Sequence, residues 1–155
     1  MSKHHYTVAV ESYKTTYEEL KHLYKQCYEE LALAAKDDGR LYPEYNPWLD
    51  SYNSTNEAGA LILYVVREQG RAVGYCLMYL TQDTRTQELV TYEDSLYMLP
   101  EHRNGIGMSL GRIIVKDMRG RGVTRIFLSA IDTRIVNMWK RIGFKPIATT
   151  MELEL

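Results

Sequence analysis

Apolar and polar residues alternate over Tyr6-Thr-Val-Ala-Val10, the two-residue period of a strand with one covered face. The apolar positions then switch to helical intervals at Leu20, Leu23, Tyr24, Cys27, Leu31 and Ala34. Thr15 and Thr16 stand before Glu18 and Glu19 at capping-box spacing, which predicts a helix from about Thr16 to Ala35, closed by Asp37-Asp38-Gly39. Asn46-Pro47 offers a cap residue and a first-turn proline, so a short helix is expected near Pro47 to Asn56. Ala60 to Glu68 and Ala72 to Leu80 are rich in strand formers and form a hairpin about Gln69-Gly70-Arg71. A polar loop over Thr81 to Glu88 leads to a fourth strand, Val90 to Met98, which stops before Pro100.

Past Pro100 the period returns to helical. Leu110, Ile113, Ile114 and Met118 form an apolar stripe opposite Arg112, Lys116 and Arg119. Gly111 follows Gly107 by one helical turn on the same face, which permits close approach to a sheet. Arg125 to Ala130 reads as a buried strand. Asp132 caps a helix that runs through Ile142 to Gly143, and Pro146 to Leu155 closes the sheet through the alternation Met151-Glu-Leu-Glu-Leu155. With 155 residues, 45% hydrophobic and 25% charged, the chain is expected to form one α/β (α+β) domain over residues 1–155, and no internal repeat divides it.

Two features add chemistry. The first is Arg103-Asn-Gly-Ile-Gly-Met108, where Gly105 and Gly107 allow a tight turn into a helix whose first N–H groups have no intrahelical partner. Such a turn cradles phosphate, although many strand-to-helix turns carry two glycines for steric reasons alone. The second is charge placement. Between His102 and Pro146 ten basic residues face two acids, a net +8 against −9 for the remainder of a chain whose total is −1. A solvated helix face or a polyanion ligand both fit. Arg119-Gly-Arg-Gly122 looks like a nucleic-acid element, but its glycines fall where a helix ends, and capping accounts for them.

No apolar run reaches membrane-spanning length and the start is polar, so a cytoplasmic protein is expected. Cys27 and Cys76 lie in separate elements with no ligand spacing and read as buried thiols, which leaves no disulfide and no metal site; His4 and His5 read as a solvated terminus. Tyr42, Tyr45, Trp48 and Tyr52 crowd a loop-rich stretch. Packing explains such aromatics, and so does the lining of an acceptor pocket.

The order of elements, Met98-Leu-Pro100 before His102-Arg-Asn-Gly-Ile-Gly107, and Met138-Trp-Lys-Arg-Ile-Gly-Phe144 after Asp132 together resemble the GCN5-related N-acetyltransferase (GNAT) family. The chain looks closest to the acetyltransferase-like proteins of phage genomes. The resemblance implies a mixed, mostly antiparallel sheet of six to seven strands flanked by about four helices, with the fourth and fifth strands splayed. It implies acetyl-CoA as co-substrate. The pyrophosphate would sit on the loop His102, Arg103, Asn104, Gly105, Ile106, Gly107 and Met108, and the pantetheine would lie along Leu96, Tyr97 and Met98. Asp132 and Trp139 fall where the family places an asparagine and a tyrosine near the thiol, and Met98 where a backbone N–H meets the oxyanion. A homodimer is compatible with the resemblance.

Two departures stand out. The loop is one residue shorter than the family pattern, which puts His102 at its first position, and Trp139 replaces the tyrosine assigned as general acid. Indole cannot supply that proton. The loss of a general acid costs about 10²- to 10⁴-fold, which a thiolate leaving group of pKa about 8.5 tolerates. Acceptor deprotonation is the larger demand, since an amine of pKa about 10.4 is neutral in only about one part in 2,500 at pH 7. Glu93 and Asp94 are the candidate bases, with Tyr97 and Tyr92 as substitute proton donors. The reading is an N-acetyltransferase that moves acetyl from acetyl-CoA to a primary amine by direct attack in a ternary complex. The alternative is a non-catalytic acetyl-CoA-binding or structural protein, possible for a phage-associated chain that keeps the fold. Loops 42–52 and 81–88 are expected to shape the acceptor site.

Overall fold

Leu61-Ile-Leu-Tyr-Val-Val66 is apolar without alternation because both faces of its strand are covered, and all six side chains are buried. That strand belongs to a computed structural model that describes residues 4–155. The elements are β1 (Tyr6–Glu11), α1 (Tyr13–Asp37), α2 (Leu49–Glu57), β2 (Leu61–Glu68), β3 (Arg71–Gln82), β4 (Leu89–Met98), a 3-10 turn (Pro100–His102), α3 (Ile106–Gly120), β5 (Arg125–Phe127) and α4 (Thr133–Ile142). The strands lie in the order β1-β2-β3-β4-β5, antiparallel except for the parallel β4–β5 pair. Leu20 and Leu23 of α1 pack on one face, and Leu110, Ile114 and Met118 of α3 pack on the other, where Tyr64 of β2 also donates a 2.6 Å hydrogen bond to Asp117. Gln69 and Gly70 both have positive φ, the geometry of the tight turn that joins β2 to β3.

Local chemistry moves several expected boundaries. Helix α1 starts at Tyr13, not Thr16, because Ser12 is its cap: the Ser12 Oγ accepts from the Thr15 N–H, and the Thr16 hydroxyl donates to the Ser12 carbonyl at 2.7 Å. Helix α2 starts at Leu49, with Trp48 rather than Asn46 at its cap position and no side-chain cap bond. The end of the chain departs most. The described sheet has five strands, not six to seven, because residues 146–155 are irregular and β5 ends at Phe127. Alternation says which side chains share a face but supplies no partner edge, and a three-residue β5 offers little of one. Met151 is accordingly 89% exposed. Nor is β5 a buried strand, as Arg125 is exposed and its neighbours only half-buried.

Gly111 serves helix-to-helix contact rather than helix-to-sheet contact. A Cβ there would lie 2.5 Å from Ile142 Cδ1 and 2.9 Å from Trp139 Cζ3, and one at Gly107 would lie 3.0 Å from Met138 Sδ, so α4 rests on a glycine face of α3.

Candidate active site

The parallel pairing of β4 with β5 runs from Val90–Arg125 to Tyr92–Phe127 and stops there, so β4 continues from Glu93 to Met98 without a β5 partner. This is the expected splay. At the branch the Glu93 carboxyl accepts the Ser129 N–H at 3.1 Å. Below the branch, Tyr92 stacks on Phe127 with centroids 4.8 Å apart. The Leu99 N–H donates to Val73 of β3 at 2.9 Å, so by strand alternation the peptide groups of Tyr97 also turn to β3, and those of Leu96 and Met98 turn to the open edge. The Leu96 carbonyl accepts from Cys27 Sγ and the Met98 carbonyl from Arg103 Nε, which leaves the two N–H groups.

A register shift in the β3–β4 ladder matches Leu77 with Ser95 and Met78 with Glu93, which leaves Asp94 as the extra residue of a bulge. Asp94 and Ser95 therefore both face the α1 side, although they are adjacent, while Glu93 faces the α3 side. Burial, augmented by the nearby Asp94 charge and opposed by the Ser129 bond, pushes the Glu93 carboxyl up to about 7. Asp94 is exposed, with both its oxygens 3.1 Å from the Tyr52 hydroxyl and one also 3.1 Å from the Ser95 hydroxyl, to which Tyr75 donates in turn. Tyr97 is buried, with the Arg103 guanidinium over its ring, and burial raises its hydroxyl.

The glycine loop presents main chain. Gly105 has φ 99° and precedes the first residue of α3 with no side-chain cap, and among the described residues no acceptor takes the N–H groups of Asn104, Gly105, Ile106 or Gly107. Met108 N–H turns back to the Gly105 carbonyl. The side chains expected near phosphate instead hold the loop in place. His102 is buried, 2.9 Å from the Tyr6 hydroxyl of β1; Asn104 donates to the same oxygen at 3.2 Å; Arg103 pairs with Glu30 of α1 at 2.7 Å. Asp132 caps α4 through the Ile135 N–H at 3.0 Å. Trp139 is only 5% exposed, enclosed by Gly111 and the edge-on ring of Phe144.

Part of the basic charge of this half is paired with acids, some across the fold and some at the end of α3. Arg103 pairs with Glu30, Arg121 with Asp117, and Arg125 with Asp83 and Glu88. His4, expected to be solvated, touches Glu68, which also lies 3.6 Å from His102; the three ligand atoms fall within 4.8 Å of one another, a spacing that a cation can span. Cys27 and Cys76 are buried free thiols, and burial raises both.

Between α1, the 43–49 segment, α2 and β3–β4 lies a cavity of about 570 Å³ with Asp94 and Ser95 in its wall. Tyr45, Trp48 and Tyr52 line it as the sequence suggests, whereas Tyr42 packs on Tyr28 and loop 81–88 takes no part. Eight tyrosines line the space. Those of α1, Tyr13, Tyr17, Tyr24 and Tyr28, were not among the sequence candidates for this wall, yet their spacing of four, seven and four residues is itself the mark of one helix face. Burial, reinforced by Asp94, pushes Tyr79 up to about 12 and raises Tyr52 further, so both hydroxyls remain donors.

A sheet that forks between its last two strands, a glycine-started helix and a pocket against the fork define an α/β acetyltransferase. The Acetyltransferase (GNAT) family profile matches residues 17–144, and the chain belongs to that family. Its structure is similar to that of an aminoglycoside acetyltransferase from an uncultured soil metagenomic sample, with 12% identity, coverage of 97% of this chain and 95% of that one, and a TM-score of 0.72. It is also similar to a ribosomal-protein-alanine N-acetyltransferase from Brucella melitensis biovar Abortus 2308 (17%, 98% and 99%, 0.73) and to a mutant form of a Bacillus halodurans protein (23%, 96% and 99%, 0.74). No curated protein is significantly similar in sequence.

Proposed function

We propose that the protein transfers acetyl from acetyl-CoA to a primary amine by direct attack in a ternary complex. The observation that carries this reading is the line of unpaired main-chain donors from the β4 edge to the start of α3. The amides of Asn104 to Gly107 suit a pyrophosphate, at a helix end whose dipole favours anions. The outward N–H groups of Leu96 and Met98 suit pantetheine amides, with Met98 next to the thioester carbonyl as the oxyanion donor. His102, Arg103 and Asn104 act by fixing the loop between α1 and β1, and Asp132 and Trp139 act by fixing α4 beside it.

Glu93 is the base in this scheme. A carboxyl that titrates near 7 is matched to taking a proton at neutral pH, directly or through one water, and it stands where β4 and β5 part. Asp94 belongs to the acceptor pocket. Tyr97 turns toward Arg103, so its contribution is packing of the β4 end. The enclosed Trp139 favours one other reading, a coenzyme-binding protein without turnover, because no indole proton reaches a leaving thiolate. Calorimetry with CoA, paired with titration of the thiol released from acetyl-CoA across a set of primary amines, decides between them. Heat with CoA and amine-dependent thiol release are expected. Heat without release from any amine supports the non-catalytic reading, and no heat overturns both.

A further inference from the structure

The walls of the acceptor cavity are uniform in electrostatic sign. Glu44 and Asp94 carry negative charge, and no lysine, arginine or histidine is among the lining residues. Eight tyrosines and Trp48 present ring faces or hydroxyls, and ring faces attract ammonium groups. Several rings stack in series, with Tyr13 5.5 Å from Tyr52 and Tyr52 6.3 Å from Tyr79, next to the Asp94 carboxylate. The Tyr24 hydroxyl, enclosed in this wall, has no hydrogen-bond partner among the described residues.

A site that favours a cation is a poor place for the nucleophile, because the nitrogen that attacks the thioester must be neutral and the same surroundings hold a proton on it. The cage and the reaction therefore call for different nitrogens. We propose, on the basis of the acetyltransferase reading above, that the acceptor is a small polycationic amine, one ammonium of which is held by Asp94 and the tyrosine faces on the α1 side while a second nitrogen, deprotonated, reaches into the gap where β4 and β5 part, toward Glu93 on the other side of the strand. The attacking nitrogen forms the amide bond as the thioester C–S bond breaks; its proton passes to Glu93, and the thiolate takes one from solvent. Linear polyamines and multiply aminated sugars share this chemistry. The cavity volume is in the range of ordinary small-molecule sites.

The test compares 1,5-diaminopentane, spermidine and a tetra-amino sugar with pentylamine and with an amino acid, by kcat/KM from thiol release and by calorimetry in the presence of CoA. At least one polycation is expected to exceed pentylamine by about ten-fold or more in kcat/KM, chiefly through KM, and the amino acid to be poorest because its carboxylate meets Asp94 and Glu44. Asp94→Asn is expected to collapse the polycation-to-monoamine ratio at least five-fold, and Glu44→Gln, at the exposed rim, to reduce it in the same direction should the first variant fail to fold. Equal rates for pentylamine and the polycations, or ratios unchanged in both variants, overturn the proposal. Should no amine turn over, calorimetry separates the two claims: polycation binding that weakens in Asp94→Asn sustains the cage while the transferase reading fails, and absence of binding removes the cage.

Discussion

Glu93→Gln is expected to make the protein more stable and less active at the same time. The Glu93 carboxyl titrates near 7 in the fold and near 4.5 when exposed, so the folded state holds its proton more tightly. The stability it contributes is complete below about pH 4.5 and is lost as pH rises through 7, because between those values the native state binds a proton that the unfolded chain has released. At 1.36 kcal/mol per unit, full ionisation withdraws up to about 3 kcal/mol. Glutamine keeps the shape but never ionises. It retains an acceptor for the Ser129 N–H, with a loss of about 1 kcal/mol for a neutral in place of a charged bond. The net gain is then about 2 kcal/mol at pH 9, near 4–8 °C in Tm for a chain of this length, with no gain or a slight loss at pH 4. Thermal melts of both proteins from pH 4 to 9 measure this difference. Kinetically, wild-type kcat/KM should climb through a limb near pH 7 as Glu93 deprotonates, and the variant should lose that limb and about 10²- to 10⁴-fold in rate. A stability difference between the two proteins that does not vary with pH would refute the assignment of the raised carboxyl to Glu93.

Gly111→Ala should cost about 1–3 kcal/mol in denaturant unfolding, since its new methyl meets Ile142 and Trp139; an unchanged midpoint would mean that α4 does not rest on this face. Arg103→Ala should weaken CoA binding by less than about ten-fold, as measured by calorimetry, because the guanidinium is engaged with Glu30 and the Met98 carbonyl and the cradle is main chain; a larger loss would indicate a direct contact with phosphate. Cys27 and Cys76, with buried and raised thiols, should react with a thiol reagent only as fast as the protein opens, so their labelling is expected to accelerate in step with urea unfolding.

The sequence carried the helix and hairpin signals well because they are local. Asp132 and Gly143 bracket α4, and Gln69-Gly70 turns β2 into β3, through interactions confined to a few neighbouring residues. Residues 146–155 show the opposite case. Met151 and Leu153 alternate as a strand does, yet pairing depends on a distant edge about which alternation is silent. The loop glycines likewise signalled a cradle, but the destinations of His102, Arg103 and Asn104, on β1 and α1, are contacts across more than seventy residues of sequence that no local pattern encodes. The pocket was half visible. Tyr45, Trp48 and Tyr52 stood out by crowding, while the tyrosines of α1 were hidden inside what reads as an ordinary core stripe.

One inserted residue lets β4 show two neighbouring side chains to the same layer. Because consecutive residues of β3, Met78 and Leu77, already stand opposite Glu93 and Ser95, excision of Asp94 would leave each cross-strand couple, and the sides taken by Ser95 to Met98, as they are. What would vanish is the carboxylate itself: the strand would straighten into plain alternation, and the Tyr52 hydroxyl would lose its acceptor while Ser95 kept its link to Tyr75.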